Sequence, residues 1–542
     1  METYKKDSRK KKNKITIVAL LLAIIAIILL FIIYKNYEIK HDKNDTEKGY
    51  SEYRISGNEL DDFDLKFLQL ETNNQNMVYS PLSIKYALKM LSDGTEGTSK
   101  AQIDALIGDY KAKKYINNSN MSLANALFIK STFKESVKES YVNSLQEKYG
   151  AEVIYDRFEN PDNINSWINK KTLGLIDKSI NNVSDTDFYL INALAINMEW
   201  NKLIQANYKK WDEHYSVRYA HENYSESIPL IEDYYNTLKF DNNSINAKAV
   251  EFGASINNYD IVNALGEDNI RTTISKEYKE WLDKNEYAGE KVDVKTYVNK
   301  FIEELKSNYK QVELSTDFEF YDDANIKVFA KDLKEYNGIT LEYIGLMPKN
   351  KTLNEYNGIT LEYIGLMPKN KTLNEYIKTL NASSLNEIIG KIKKVELDNF
   401  EKGVITKIIG GIPLFKYDYN LKLEDDLKTL GLTDIFKPDK ANLLGITKDR
   451  STFIGNVNHK TNIEFSNEGI KASAVTRVGG LGAGSAGFEH LFDVPVVAID
   501  LSFENPYLYI IRNKANGEIW FIGTVYQPIE NNDNRAEIIN KK

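Results

Sequence analysis

The sequence predicts an α+β fold carried on one N-terminal membrane-spanning helix. Three observations support this. They are an uncharged apolar run near the start, apolar stripes at helical spacing after it, and strand-length apolar runs around a tight turn near the far end. Residues 15–34 read ITIVALLLAIIAIILLFIIY, with no charge. At 1.5 Å per residue, about 20 such residues cross roughly 30 Å of hydrocarbon. Lys5, Lys6, Arg9, Lys10, Lys11, Lys12 and Lys14 precede the run, and a flank so basic stays in the cytoplasm. The expectation is a single-pass cell-membrane protein. Its parts are a cytoplasmic basic tail over 1–14, a signal-anchor helix in the lipid bilayer over 15–34, a polar stalk over 35–57, an extracellular domain over 58–528 and a polar tail over 529–542. A cleaved signal peptide competes with this reading, but Tyr34-Lys35-Asn36-Tyr37 has no small-residue cleavage site.

Helical signals open the domain. Asn58 is a candidate cap for a segment with Leu60, Phe63, Phe67, Leu68 and Leu70 on one side. Ser80 followed by Pro81 starts a second helix, because the hydroxyl caps and the proline loses no needed donor. Ile84, Ala87, Leu88 and Leu91 form its apolar stripe, and Gly94 ends it. Thr98 is the expected cap of a third helix with Ile103 and Leu106. Phe188–Ile196 is nearly all apolar, as a strand covered on both faces would be. The region 201–311 is polar and mixed, and reads as an insertion with no clear elements. Segments 503–512 and 520–526 flank Asn516-Gly517, a hairpin signal. Residues 335–354 read EYNGITLEYIGLMPKNKTLN, and 355–374 repeat them letter for letter. One duplication is too few for a repeat array. Each unit holds an Asn-Gly turn and a strand of about eight residues ending at a proline.

Composition excludes several functions. There is no cysteine, so disulfides, thiolate zinc sites and thiol nucleophiles are ruled out. A net charge of −8 does not suit nucleic acid. Five histidines, His41, His214, His221, His459 and His490, leave little for a metal or catalytic centre. The stretch Gly482-Ala483-Gly484-Ser485-Ala486-Gly487 only loosely echoes a nucleophile elbow. There is no His-Glu-x-x-His, and the glycine runs lack the Lys-Ser/Thr of a phosphate loop. No enzyme, metal or cofactor is expected.

Several segments taken together resemble one family. They are Asn76-Met77-Val78-Tyr79-Ser80-Pro81-Leu82-Ser83-Ile84, Ala124-Asn125-x-Leu127-Phe128, Asn165-x-Trp167-Ile168 and Asn192-Ala193 followed by Trp200. His459-Lys460-Thr461-x-Ile463-Glu464, Glu468-Gly469, Phe503-x-x-Pro506-Tyr507 and Gly523-x-Val525 complete the set. In order and number they resemble the serpins, here a bacterial-type serpin with a membrane anchor. The resemblance implies a large central β-sheet, a smaller β-barrel, surrounding helices and an exposed reactive-centre loop, about 467–495. It implies a monomeric protease inhibitor whose partner is an extracellular serine or papain-like cysteine protease. The protease cuts the loop and is trapped as the cut strand enters the sheet. A non-inhibitory surface binding module on the same fold is the alternative.

Read as an inserting strand, the loop alternates faces. Ile470, Ala472, Ala474 and Thr476 fall on one face, and Lys471, Ser473, Val475 and Arg477 on the other. Both cations are thus kept from the face that would be buried. With Glu468 and Gly469, the first set is the expected hinge. Gly479, Gly480, Gly482, Gly484 and Gly487 loosen the stretch after Arg477. The family's spacing from Gly469 places the scissile bond at Ala483-Gly484, with Leu481 and Phe488 as alternatives. Ser80, Ser83, Asn192 and His459 resemble the family's polar group beneath the point where the sheet opens. Trp200 resembles the tryptophan at the loop's entry.

Overall fold

The computed structural model describes residues 60–528, except 72, 116, 184–185, 202–215, 220–223, 226–236, 243, 285–291, 309, 315–316, 335–359, 456, 458, 467–468, 471–487, 489 and 491. The expected anchor over 15–34, its basic flank, the stalk and the C-terminal tail lie outside these residues. Among the described residues no helix is long and apolar enough to cross a membrane.

Local chemistry sets the first helices. α1 (Asp62–Leu70) starts at Asp61, whose carboxylate accepts from the helix's first turn while Asp64 returns a bond to Asp61 N. The cap is therefore Asp61, with Asp64 closing the box, and the expected cap Asn58 lies outside the described residues. After β1 (Met77–Tyr79), Ser80 caps α2 (Pro81–Ser92) by accepting from Ser83 N at 3.0 Å. A buried ion pair at 2.6 Å, Lys85 to Asp64, ties α2 to α1. α3 (Gly97–Ile107) follows Glu96, which makes no side-chain cap. Thr98, expected as the cap, lies inside the helix as its second residue.

The chain continues with β2 (Met121–Lys130), α4 (Glu139–Tyr149), β3 (Glu152–Asp156), α5 (Asp162–Lys171), β4 (Phe188–Ile196) and β5 (Met198–Glu199). β2 pairs in parallel with β3 and antiparallel with β4, with Asn125 opposite Asn192. β4 spans the expected residues, but only its last four are buried; the first five are half-exposed.

The insertion holds β6 (Ser216–Tyr219), β7 (Tyr224–Ser225), β8 (Thr237–Phe240) and β9 (Ile245–Asn258), then α6 (Ile261–Leu265), α7 (Glu267–Lys284), α8 (Val294–Asn308) and β10 (Lys310–Leu314). In α7 the buried Ile270, Ile274 and Tyr278 recur every fourth residue. In α8 Val298, Phe301, Ile302 and Leu305 fall at i, i+3, i+4 and i+7. The two stripes face each other over a small core separate from the main one.

Next come β11 (Glu319–Asp322), β12 (Ile326–Asp332), β13 (Leu361–Pro368), α9 (Leu373–Thr379), α10 (Ala382–Gly390), β14 (Lys393–Lys394), β15 (Ile405–Pro413), β16 (Phe415–Leu421) and α11 (Leu423–Thr429). The last strands are β17 (His459–Phe465), β18 (Gly469–Ile470), β19 (Phe492–Asp500), β20 (Tyr507–Asn513) and β21 (Ile519–Val525). The hairpin strands start at Tyr507 and Ile519. Gly517, at φ 77°, makes the turn between them. β19 starts at Phe492, so the expected loop boundary at 495 falls inside a strand.

Two seven-stranded sheets run β1-β21-β20-β13-β12-β11-β14 and β10-β9-β15-β19-β6-β7, with β8 also on β9. The expected central sheet occurs as two panels, β3-β2-β4 and β16-β17. Among the described residues, the only ladder across them is β5 with β18, pairing Glu199 with Gly469 and Met198 with Ile470.

Of the two repeat copies, the second supplies β13, and the first lies outside the described residues. β13 is bonded to β12 on one side and β20 on the other, and all eight of its residues are buried. One strand fills that slot, and register there is fixed by which face is buried. Deleting 335–354 gives the same chain as deleting 355–374. The shortened protein is expected to unfold cooperatively at an equal or higher temperature, followed by circular dichroism. Loss of cooperative unfolding would show that both copies are structural.

Candidate functional site

The site is the seam between the panels, and its lower end rests on the start of α2. Ser80 N donates to Nε2 of His459, the first residue of β17, at 2.9 Å. One turn later, Ser83 Oγ donates to Asn192 Oδ1 on β4. Asn192 Nδ2 donates to Asn125 Oδ1 at 2.8 Å, and Asn125 Nδ2 to the Tyr149 carbonyl at 3.0 Å. One helix terminus therefore holds an arm to each panel. Thr461 Oγ1 lies 3.0 Å from the same His459 nitrogen.

Accepting a backbone N–H leaves the His459 proton on Nδ1, so the ring is neutral. Burial pushes its pKa down to about 4. With Nε2 already occupied by Ser80 N, the imidazole is not placed to activate a serine hydroxyl. This group joins strands; it does not assemble a nucleophile and base.

The upper end is closed differently. Trp200 is fully buried, and its Nε1 donates to the Ser466 carbonyl at 2.9 Å, so the end of one panel is tied to the end of the other. Its ring meets Tyr363 and Phe465 edge-on, with centroids 5.8 and 5.6 Å away. Lys334 pairs with Glu199 beside the β5–β18 ladder. Between the two ends lies a cleft bounded by Leu194–Ile196 of β4 and Asn462–Glu464 of β17, over Ile511 and Phe521. The segment after α5 forms part of its rim, and Lys460 Nζ donates to the Lys178 carbonyl there at 2.8 Å.

The structure brings Ser80, Ser83, Asn192 and His459 into one bonded group and sets Trp200 at the other end of the seam. Gly469 and Ile470 form β18. Glu468, Ala472, Ala474, Thr476, Ala483 and Gly484 lie outside the described residues, as do Leu481, His214 and His221. Reading the sequence missed Asn125 as a functional residue, although a lone amide inside the apolar run of β2 is the signal of a buried polar partner. It also missed Thr461, which shares a strand face with His459 at a spacing of two.

The family profile "Serpin (serine protease inhibitor)" matches residues 61–334 and 352–528. Neuroserpin of Mus musculus is 22% identical over 475 residues, covering 84% of this chain and 87% of that protein. Serpin B10 of Rattus norvegicus is 34% identical over 117 residues, 22% of this chain, and the match spans 27% of that relative's length. Among solved structures, native tengpin, a thermophilic serpin, aligns with TM-score 0.51 and 20% identity, covering 88% of this chain and 96% of that one. Thyroxine-binding globulin with thyroxine aligns with TM-score 0.53 and 16% identity, covering 87% and 98%. At these identities the structural likeness speaks for the fold alone.

The buried imidazole has a consequence for acid stability. The unfolded ring takes up a proton near pH 6.5, whereas the folded one resists until about pH 4. Its contribution is complete above pH 6.5, falls as pH drops and levels off below 4, a loss of at most about 3 kcal/mol. Urea unfolding at pH 7.5 and 4.5 should show a steeper acid loss in the parent than in His459→Gln. Carboxyl groups titrate in both proteins, so equal losses would mean the ring is not held neutral.

Proposed function

The chain belongs to the serpin family, and we propose that it inhibits a serine protease by offering the segment after Ile470 as bait. The observation that carries this reading is the seam, where among the described residues β4 and β17 share no ladder. Short polar bridges close it, and β18 leads straight into the candidate bait. In the proposed reaction the protease hydroxyl attacks a loop carbonyl, the peptide C–N bond breaks, and the proton passes to the departing amine. The loop's new end stays esterified to the protease. The cut strand then enters between β4 and β17, whose facing edges are in no ladder among the described residues. Each hydrogen bond gained contributes roughly 0.5–1.5 kcal/mol net, so a strand of β4's length can supply a large driving force. A papain-like cysteine protease would be held as a thioester in the same way. With residues 15–34 in the bilayer, the inhibitor would stand on the outer cell surface.

The glycine-rich run from Gly479 to Gly487 favours a second reading, a non-inhibitory binding module. Incubation of the protein with trypsin, chymotrypsin, elastase and papain separates the two. An SDS-stable complex is expected with at least one serine protease. Cleavage without any complex would leave the binding module.

Within the inhibitory reading, Ala474→Arg places a charge on the face that must be buried. The penalty is several kcal/mol and falls on the inserted state. The parent should trap protease, Ala474→Arg should be cleaved many times per protease trapped, and Lys471→Glu, on the outer face, should change little. Equal trapping by Ala474→Arg and the parent would exclude insertion. The tether is tested separately by adding protease to intact cells, which should digest the domain. Full protection would reverse the topology.

A further inference from the structure

The insertion's helical hairpin grips the chain just before β19. Phe488 is 7% exposed, and three rings of the hairpin meet it edge-on. Its centroid lies 5.3 Å from Tyr278, 6.4 Å from Trp281 and 5.7 Å from Tyr297. Tyr278 and Tyr297 stack on each other at 3.7 Å, so α7 and α8 supply one continuous aromatic wall. Two residues on, His490 Nδ1 is 2.6 Å from Glu277 Oε2. Phe492, buried as well, packs on Phe301 of α8. From there β19 runs in parallel ladder with β15, Ile405 opposite Val496.

We propose that the α7–α8 hairpin is a clamp on the far end of the bait segment, with Phe488 as its anchor. The proposal rests on the bait reading for the role of that segment. The clamp has two consequences. Phe488 is withheld from any protease, which removes it as a cleavage site and leaves the bait to residues before it. The uncut segment is also tethered at both ends, at β18 and at Phe488. Full entry into the seam therefore requires either a cut or release of the anchor. Tyr278, Trp281, Tyr297 and Glu277 act as positioning residues.

A direct test treats the full chain briefly with chymotrypsin, which cuts after aromatic residues, and maps the products by mass spectrometry. The bond after Phe488 should resist in the folded parent and be cut in the urea-unfolded chain. In Trp281→Ala and Tyr297→Ala, cutting there should rise at least tenfold while the main thermal transition is kept. Hydrogen exchange of the unaltered chain gives a readout free of any folding defect, with slow exchange expected over 488–500. Rapid exchange there, or cutting after Phe488 as fast as in the unfolded chain, would overturn the clamp. The outcomes also separate this proposal from inhibition itself. A protected Phe488 with no trapped protease keeps the clamp and removes the inhibitor. A trapped protease with Phe488 freely cut does the reverse.

Discussion

The architecture depends on one helix terminus that bonds to two pieces of sheet at once. A continuous sheet between β4 and β17 would satisfy its own main chain by a ladder. Here the start of α2 substitutes for that ladder. Ser80 N holds His459 on one side and Ser83 Oγ holds Asn192 on the other. Side-chain bridges of this kind are individually modest and depend on geometry. The fold keeps a closed but unannealed joint.

The rest of the molecule is arranged around that joint. The buried aromatic group of Trp200, Tyr363, Phe465, Phe415 and Tyr509 lies against its upper end and fixes where the panels meet. Tyr417, on β16, bonds the Met77 and Thr524 carbonyls, so the second panel is tied to the sheet of β1 and β21. Each panel is thus backed by buried side chains, while polar bridges and the short β5–β18 ladder join the two.

Much of this was legible where the chemistry is local. Ser80-Pro81 announces α2, the apolar run announces β4, and Asn516-Gly517 announces the last hairpin. Legibility failed where partners are distant or signals thin. The hairpin strand starts at Tyr507 and not at Phe503 because Pro506 carries no N–H for a ladder. α7 shows only Ile270, Ile274 and Tyr278 as its buried stripe in eighteen residues, too narrow a pattern to stand out in polar sequence. At the seam, Ser80, Ser83, Asn192 and His459 came from family resemblance, since nothing local says that residues 379 positions apart, such as Ser80 and His459, will meet. The break in the sheet was invisible for the same reason: pairing between panels is non-local.

The doubled strand unit changes how this chain tolerates error. β13 sits at the centre of its sheet, the position where one bad residue does most harm. Tyr363 and Ile364 are fully buried there, and the twin copy carries Tyr343 and Ile344 in the same context. Whichever copy carries a lesion, an unaltered sequence for that strand remains in the chain. The sequence of the central strand is thus carried twice in the chain, and one copy of it fills the slot.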